Sequence, residues 1–170
     1  MNLVQMAELT PQERLQPSLL DRLTDKAPDI NTESRDRRVL SMRQLRQAVL
    51  RDLAWLLNTG HLETTDELED YPYVRDSVLN YGMPDITGIS ASSADTVALE
   101  RFVKDAIVKF EPRISPDSLH VSIVRDESVM GRNAMVYTIE GQLWAEPTPT
   151  MLYLKTEVDL ETGNFDVKDA

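Results

Sequence analysis

Between Met42 and Leu56 the apolar positions Met42, Leu45, Val49, Leu53 and Leu56 recur at three- and four-residue steps. That spacing predicts a helix with one buried face, N-capped by Ser41 and stopped at Asn58-Thr59-Gly60. Leu50, Trp55 and Leu57 widen the apolar face. A second helix is expected from near Ser93 to Phe110, with Leu99, Phe102, Val103, Ala106, Ile107 and Phe110 on one side. Glu111-Pro112-Arg113 ends it, because the residue before a proline is pushed out of the helical region. Ahead of both, Leu19, Leu20 and Leu23 behind Pro17 read as a helix too short to stand alone in water.

After Leu119 the period changes to two. Leu119, Val121 and Ile123 alternate with His120, Ser122 and Val124, and Met135, Tyr137 and Ile139 with Val136, Thr138 and Glu140. The second of these strands is expected to run on through Leu143 and Trp144. Leu152, Leu154, Val158 and Leu160 mark a third, and Glu161-Thr162-Gly163-Asn164 a tight hairpin returning through Phe165 and Val167. Helices first and strands last imply an α+β fold, with N-terminal helices packed on a small antiparallel C-terminal sheet. Residues 1–34 read as an N-terminal extension with a short helix, and residues 35–170 as the α+β domain. The turn-rich stretch from His61 to Ser93 carries an acidic run (Glu63, Asp66, Glu67, Glu69, Asp70). A helical turn with Val74, Val78 and Leu79 follows, then a specified turn at Gly82 and Pro84.

Composition narrows the function. The chain has 170 residues, 41% hydrophobic and 28% charged, enough for one domain with a real core. Its net charge is −11, and its one basic cluster, Arg35, Arg37 and Arg38, is interleaved with Glu33 and Asp36. Nucleic-acid binding needs a basic stripe, so it is not expected. There is no cysteine, which removes disulfides and thiol chemistry. With no signal-peptide pattern and no apolar run of membrane-spanning length, the expected location is the cytoplasm, without membrane insertion.

Candidate chemistry is sparse. His61 and His120 have no second ligand at a metal-binding spacing, and no metal or other cofactor is expected. Gly88-Ile89-Ser90-Ala91-Ser92 approaches a nucleophile elbow but lacks the final glycine. Glu111, paired with Glu140 or Glu146, is the one carboxylate set that could serve a lysozyme-like glycan hydrolase. Glu140 and Glu146 fall at strand positions that read as solvated, so the chain is not expected to be an enzyme. Glu111-Pro112-Arg113 is the most informative local feature. It is either a plain helix stop or a rigid knob whose solvent-reachable glutamate and arginine dock a partner.

Four segments together resemble one family. They are Arg43 to Thr59, Ser77 to Asp85, Glu111-Pro112-Arg113-Ile114, and Ile139-Glu140-Gly141-Gln142-Leu143-Trp144. In order and spacing they resemble TssE, the type VI secretion baseplate subunit, which is similar to a wedge protein of contractile phage tails. The resemblance covers Pro17 to Val167. It implies a structural subunit that joins the baseplate proteins TssF, TssG and TssK and links them to the contractile sheath of TssB and TssC. It also implies that Glu111, Pro112 and Arg113 bind partners, and that an edge of the small sheet accepts a sheath strand. That edge is expected within Thr150 to Val167.

Overall fold

The computed structural model describes residues 18–24, 28–29, 42–87, 95–124, 134–144 and 149–169. Its helices are α1 (Leu19–Leu23), α2 (Met42–Leu57), α3 (Pro72–Arg75) and α4 (Thr96–Phe110). Its strands are β1 (His120–Val124), β2 (Ala134–Leu143), β3 (Thr150–Asp159) and β4 (Phe165–Asp169). They form one antiparallel meander in the order β1-β2-β3-β4. The α+β architecture expected from the change of period is the one observed.

Helix α2 buries Leu45, Ala48, Val49, Leu53, Leu56 and Leu57, the face its spacing sets out. Side chains terminate it. Thr59 Oγ1 donates to the Trp55 carbonyl at 2.7 Å, and Asn58 Nδ2 to the Ala54 carbonyl at 2.8 Å. The predicted cap Ser41 lies outside the described residues, as do Pro17, Ser93 and the Gly88–Ser92 stretch. Helix α4 begins later than its pattern implied. Asp95 caps it, accepting from the Ala98 N–H at 3.1 Å. Leu99, Val103, Ala106 and Ile107 are buried as expected, but Phe102 is 37% exposed. At roughly 100° per residue Phe102 falls on the flank of the apolar stripe, not at its centre.

Helix α4 packs on β1 and α2, and α2 packs on β4, so both long helices lie on one face of the sheet. Met135, Tyr137, Ile139, Leu143, Leu152, Leu154, Val158 and Phe165 point into the shared core. Residues alternating with these in β2 and β3, such as Glu140 and Tyr153, point to the other face. Strand β2 stops at Leu143, short of Trp144, which is 63% exposed. The single helical turn expected around Val74 to Leu79 is two turns, α3 and a 3₁₀ turn at Val78–Asn80, with both Val78 and Leu79 exposed.

Gly82 is where the chain requires glycine. Its φ is +126°, and a Cβ there would sit 2.2 Å from the Thr59 carbonyl oxygen. That close approach lets the Met83 N–H reach the same oxygen at 2.7 Å and pin the turn to the end of α2.

Candidate functional site

The Glu111-Pro112-Arg113 segment leaves α4 under tight control. The Glu111 N–H still bonds to the Ile107 carbonyl at 2.8 Å, the last helical hydrogen bond. The chain then runs beside the end of β2. The Arg113 carbonyl accepts from the Trp144 N–H at 2.7 Å, and the Ser115 N–H donates to the Gln142 carbonyl at 2.9 Å. Between these two bonds Ile114 is buried and faces Leu143. Gly141 makes the space, since a Cβ there would lie 2.9 Å from Ile114 Cγ2. The motif is therefore clamped between the end of a helix and the end of a strand.

Its side chains divide into a buried support and an outward face. Glu111 is 3% exposed, so the expectation of a solvent-reachable glutamate is overturned. Burial of a carboxylate demands a partner, and Arg113 supplies it. The Arg113 N–H and Nε donate to Glu111 Oε1 at 3.1 and 2.6 Å, and Nη2 donates to Glu111 Oε2. Nη2 also donates to Asp52 Oδ2 at 2.6 Å. Pro112 is exposed, and the Arg113 side chain keeps 22% of its surface. Burial alone would lower the Arg113 pKa, but hydrogen bonds and charge from Glu111 and Asp52 outweigh it and hold the guanidinium above the ordinary arginine range.

From Asp52 the chain of ion pairs continues. Arg51 Nε donates to Asp52 Oδ1 at 2.8 Å, and Arg51 Nη1 to Asp21 Oδ1 on helix α1 at 2.7 Å. Three carboxylates thus alternate with two guanidiniums, from the helix–sheet junction through α2 to α1. Each inner member bonds to a neighbour on either side.

A family model described as baseplate wedge protein gp25 matches the chain over residues 43–148, a range that holds all four segments. The chain belongs to that family. TssE, which its sequence resembles, is the type VI homologue of gp25. No curated protein and no solved structure matches the chain.

In this wedge-family chain Glu111 and Glu140, two of the carboxylates considered for glycan hydrolysis, lie in different settings. Both Glu111 oxygens already accept from Arg113. Glu140 lies on the sheet face opposite the core, in register with His120 and Tyr153, and Glu146 lies outside the described residues. Among the described residues no cluster of histidine and acidic side chains could hold a metal. No helix described is long and apolar enough to cross a membrane.

Sequence reasoning singled out Glu111 and Arg113 but not Asp52, Arg51 and Asp21, which the structure links to them. Arg51 and Asp52 are adjacent on the polar side of a helix, a pattern common to solvated faces. Nothing in the spacing links residue 52 to residue 113, sixty-one positions on.

The sheet edges are unequal. Along β1 the outward Ile123 N–H donates to Glu100 Oε1 of α4 at 2.7 Å. Along β4 the Asn58 side chain pairs with both backbone groups of Phe165, at 2.8 and 2.9 Å, as a neighbouring strand would. Beyond that point the next outward-facing position is Val167. The expected edge, Thr150 to Val167, needs narrowing, because β3 is interior along Leu154 to Val158 and is paired on both sides.

Proposed function

We propose that this chain is the TssE-type wedge subunit of a type VI secretion baseplate, joining TssF, TssG and TssK and seating the first sheath subunits, TssB and TssC. Its family supports the coarser part of this reading, a structural role in a baseplate. The observation that carries the finer part is the clamped junction. Pro112 and the uncovered side of Arg113 form the docking face, and Glu111 and Asp52 hold the guanidinium in one orientation. A pre-set arginine fork loses little side-chain freedom on binding and makes a planar contact that a lysine does not reproduce. The sheath strand adds to the sheet along β4 past Phe165, where backbone groups face outward.

Tagged chain purified from cells should bring TssF, TssG and TssK with it. Arg113→Lys, which keeps the charge and loses the fork, should fold and leave them behind. Equal recovery of the partners with both proteins would sink the role given to Arg113.

A further inference from the structure

Apolar side chains crowd the surface of one loop. Between α2 and α4, Tyr71 is 61% exposed, Tyr73 92%, Val78 78% and Leu79 68%, and none of the four joins the core. Scattered exposed apolar residues need no explanation, but four within a run of nine residues make a surface that covering would stabilise. The loop is nonetheless fixed. Asn80, 5% exposed, accepts from the Glu63 N–H at 3.0 Å and donates to the Arg75 carbonyl at 3.1 Å. One buried side chain thereby joins a 3₁₀ turn at Leu62–Thr64, helix α3, and the 3₁₀ turn that carries Val78 and Leu79. Leu68 is buried within the acidic run, and Lys109 Nζ of α4 donates to the Arg75 carbonyl. A surface held this way loses little freedom when it is covered.

Charges of the same loop select what covers it. Glu63, Asp66, Glu67, Glu69 and Asp70 are exposed, and none makes an ion pair among the described residues. The loop's one arginine, Arg75, and Lys109 of α4 both contact Asp76 instead. The field at this surface is therefore acidic. It repels nucleic acid, anionic lipid and the same loop of a second copy, and it attracts a basic protein surface.

We propose that residues 62–80 form a second docking surface, on which Tyr71, Tyr73, Val78 and Leu79 meet an apolar patch ringed by lysines or arginines on another baseplate protein. This rests on the baseplate reading above and uses none of the residues given to the Arg113 face. Covered apolar and aromatic side chains supply the affinity, and the carboxylate rim supplies orientation and speed of encounter.

The test is equilibrium binding of the full chain to a purified complex of TssF, TssG and TssK, at low and at high salt. A Val78→Gln, Leu79→Gln variant alters two exposed side chains and keeps every backbone donor. Its melting temperature should match wild type, while its affinity falls about tenfold at either salt. A Val78→Ile, Leu79→Met variant should bind as wild type does. A Glu67→Lys, Asp70→Lys variant reverses two exposed charges. It should bind about tenfold more weakly at low salt, and the gap from wild type should close at high salt, where rim charges are screened. Wild-type affinity in the glutamine variant, beside failure of Arg113→Lys, overturns the docking surface and leaves the baseplate reading standing. Unchanged or tighter binding by the lysine variant at low salt overturns the basic occupant. A wild-type homodimer that the glutamine variant abolishes overturns the choice of another protein as the cover. Failure of wild type itself to bind the complex overturns both readings.

Discussion

Removing Arg113 leaves the Glu111 carboxylate, 3% exposed, without the group that neutralises it. Arg113→Ala should therefore lower stability by about 3 kcal/mol in urea unfolding, because an uncompensated buried charge is left behind. A loss below about 0.5 kcal/mol, usual for a surface substitution, would contradict the buried support. Asp21 reports on the other end of the chain of ion pairs. The Arg51 hydrogen bond, opposed by burial and aided by Ser18, holds its pKa below the ordinary 3.8. A depressed carboxylate contributes stability above its unfolded pKa and loses it as pH falls through the folded value. Protection of α1 should thus be constant from neutral pH down to about pH 5 and vanish below the ordinary carboxylate range. Exchange rates over 19–23, corrected for intrinsic chemistry, would show this. Release already at pH 6 would contradict it. At this scale the sequence was least legible, since the charge types at 21, 51, 52 and 113 are visible but their meeting depends on the tertiary fold.

Elements were legible wherever burial is one-sided. Leu45 to Leu57 and Leu99 to Ile107 mark the helices they form, and the alternation from Met135 to Ile139 and from Leu152 to Val158 marks strands with one face in the core. Boundaries were less legible. A helix start at Thr96 behind Asp95, where the pattern put it near Ser93, and Leu143 in place of Trp144 as strand end depend on local hydrogen bonds that periodicity does not encode. The turn at Gly82 was readable, and its physical reason can be tested. Gly82→Ala must place a Cβ 2.2 Å from the Thr59 oxygen at a φ of +126°. Because this strain adds to a clash with backbone, the variant should lose about 3 kcal/mol or more in thermal unfolding. A variant as stable as wild type would show that the turn and the end of α2 are not locked together.

In the whole molecule, the two long helices cover one sheet face, and the meander leaves β1 and β4 at its edges. Glu100 occupies one edge and Asn58 the start of the other. The sequence disclosed that a sheet edge would exist, but which strand lay there followed from the meander order. Val167→Pro removes an outward N–H and spares the bonds that Asp166 and Lys168 make to β3. It should leave baseplate incorporation intact while sheath subunits no longer assemble on the complex, scored by sedimentation of sheath. Normal sheath growth would move the strand-accepting edge elsewhere.

The central claim, that a pre-set Arg113 docks this chain into the baseplate, is tested most directly by equilibrium binding of the purified chain to a purified TssF–TssG complex. At matched melting temperatures, Arg113→Lys should bind at least about tenfold more weakly than wild type, the loss expected of a central arginine contact. Equal dissociation constants would contradict the account, as would a wild-type chain that does not bind.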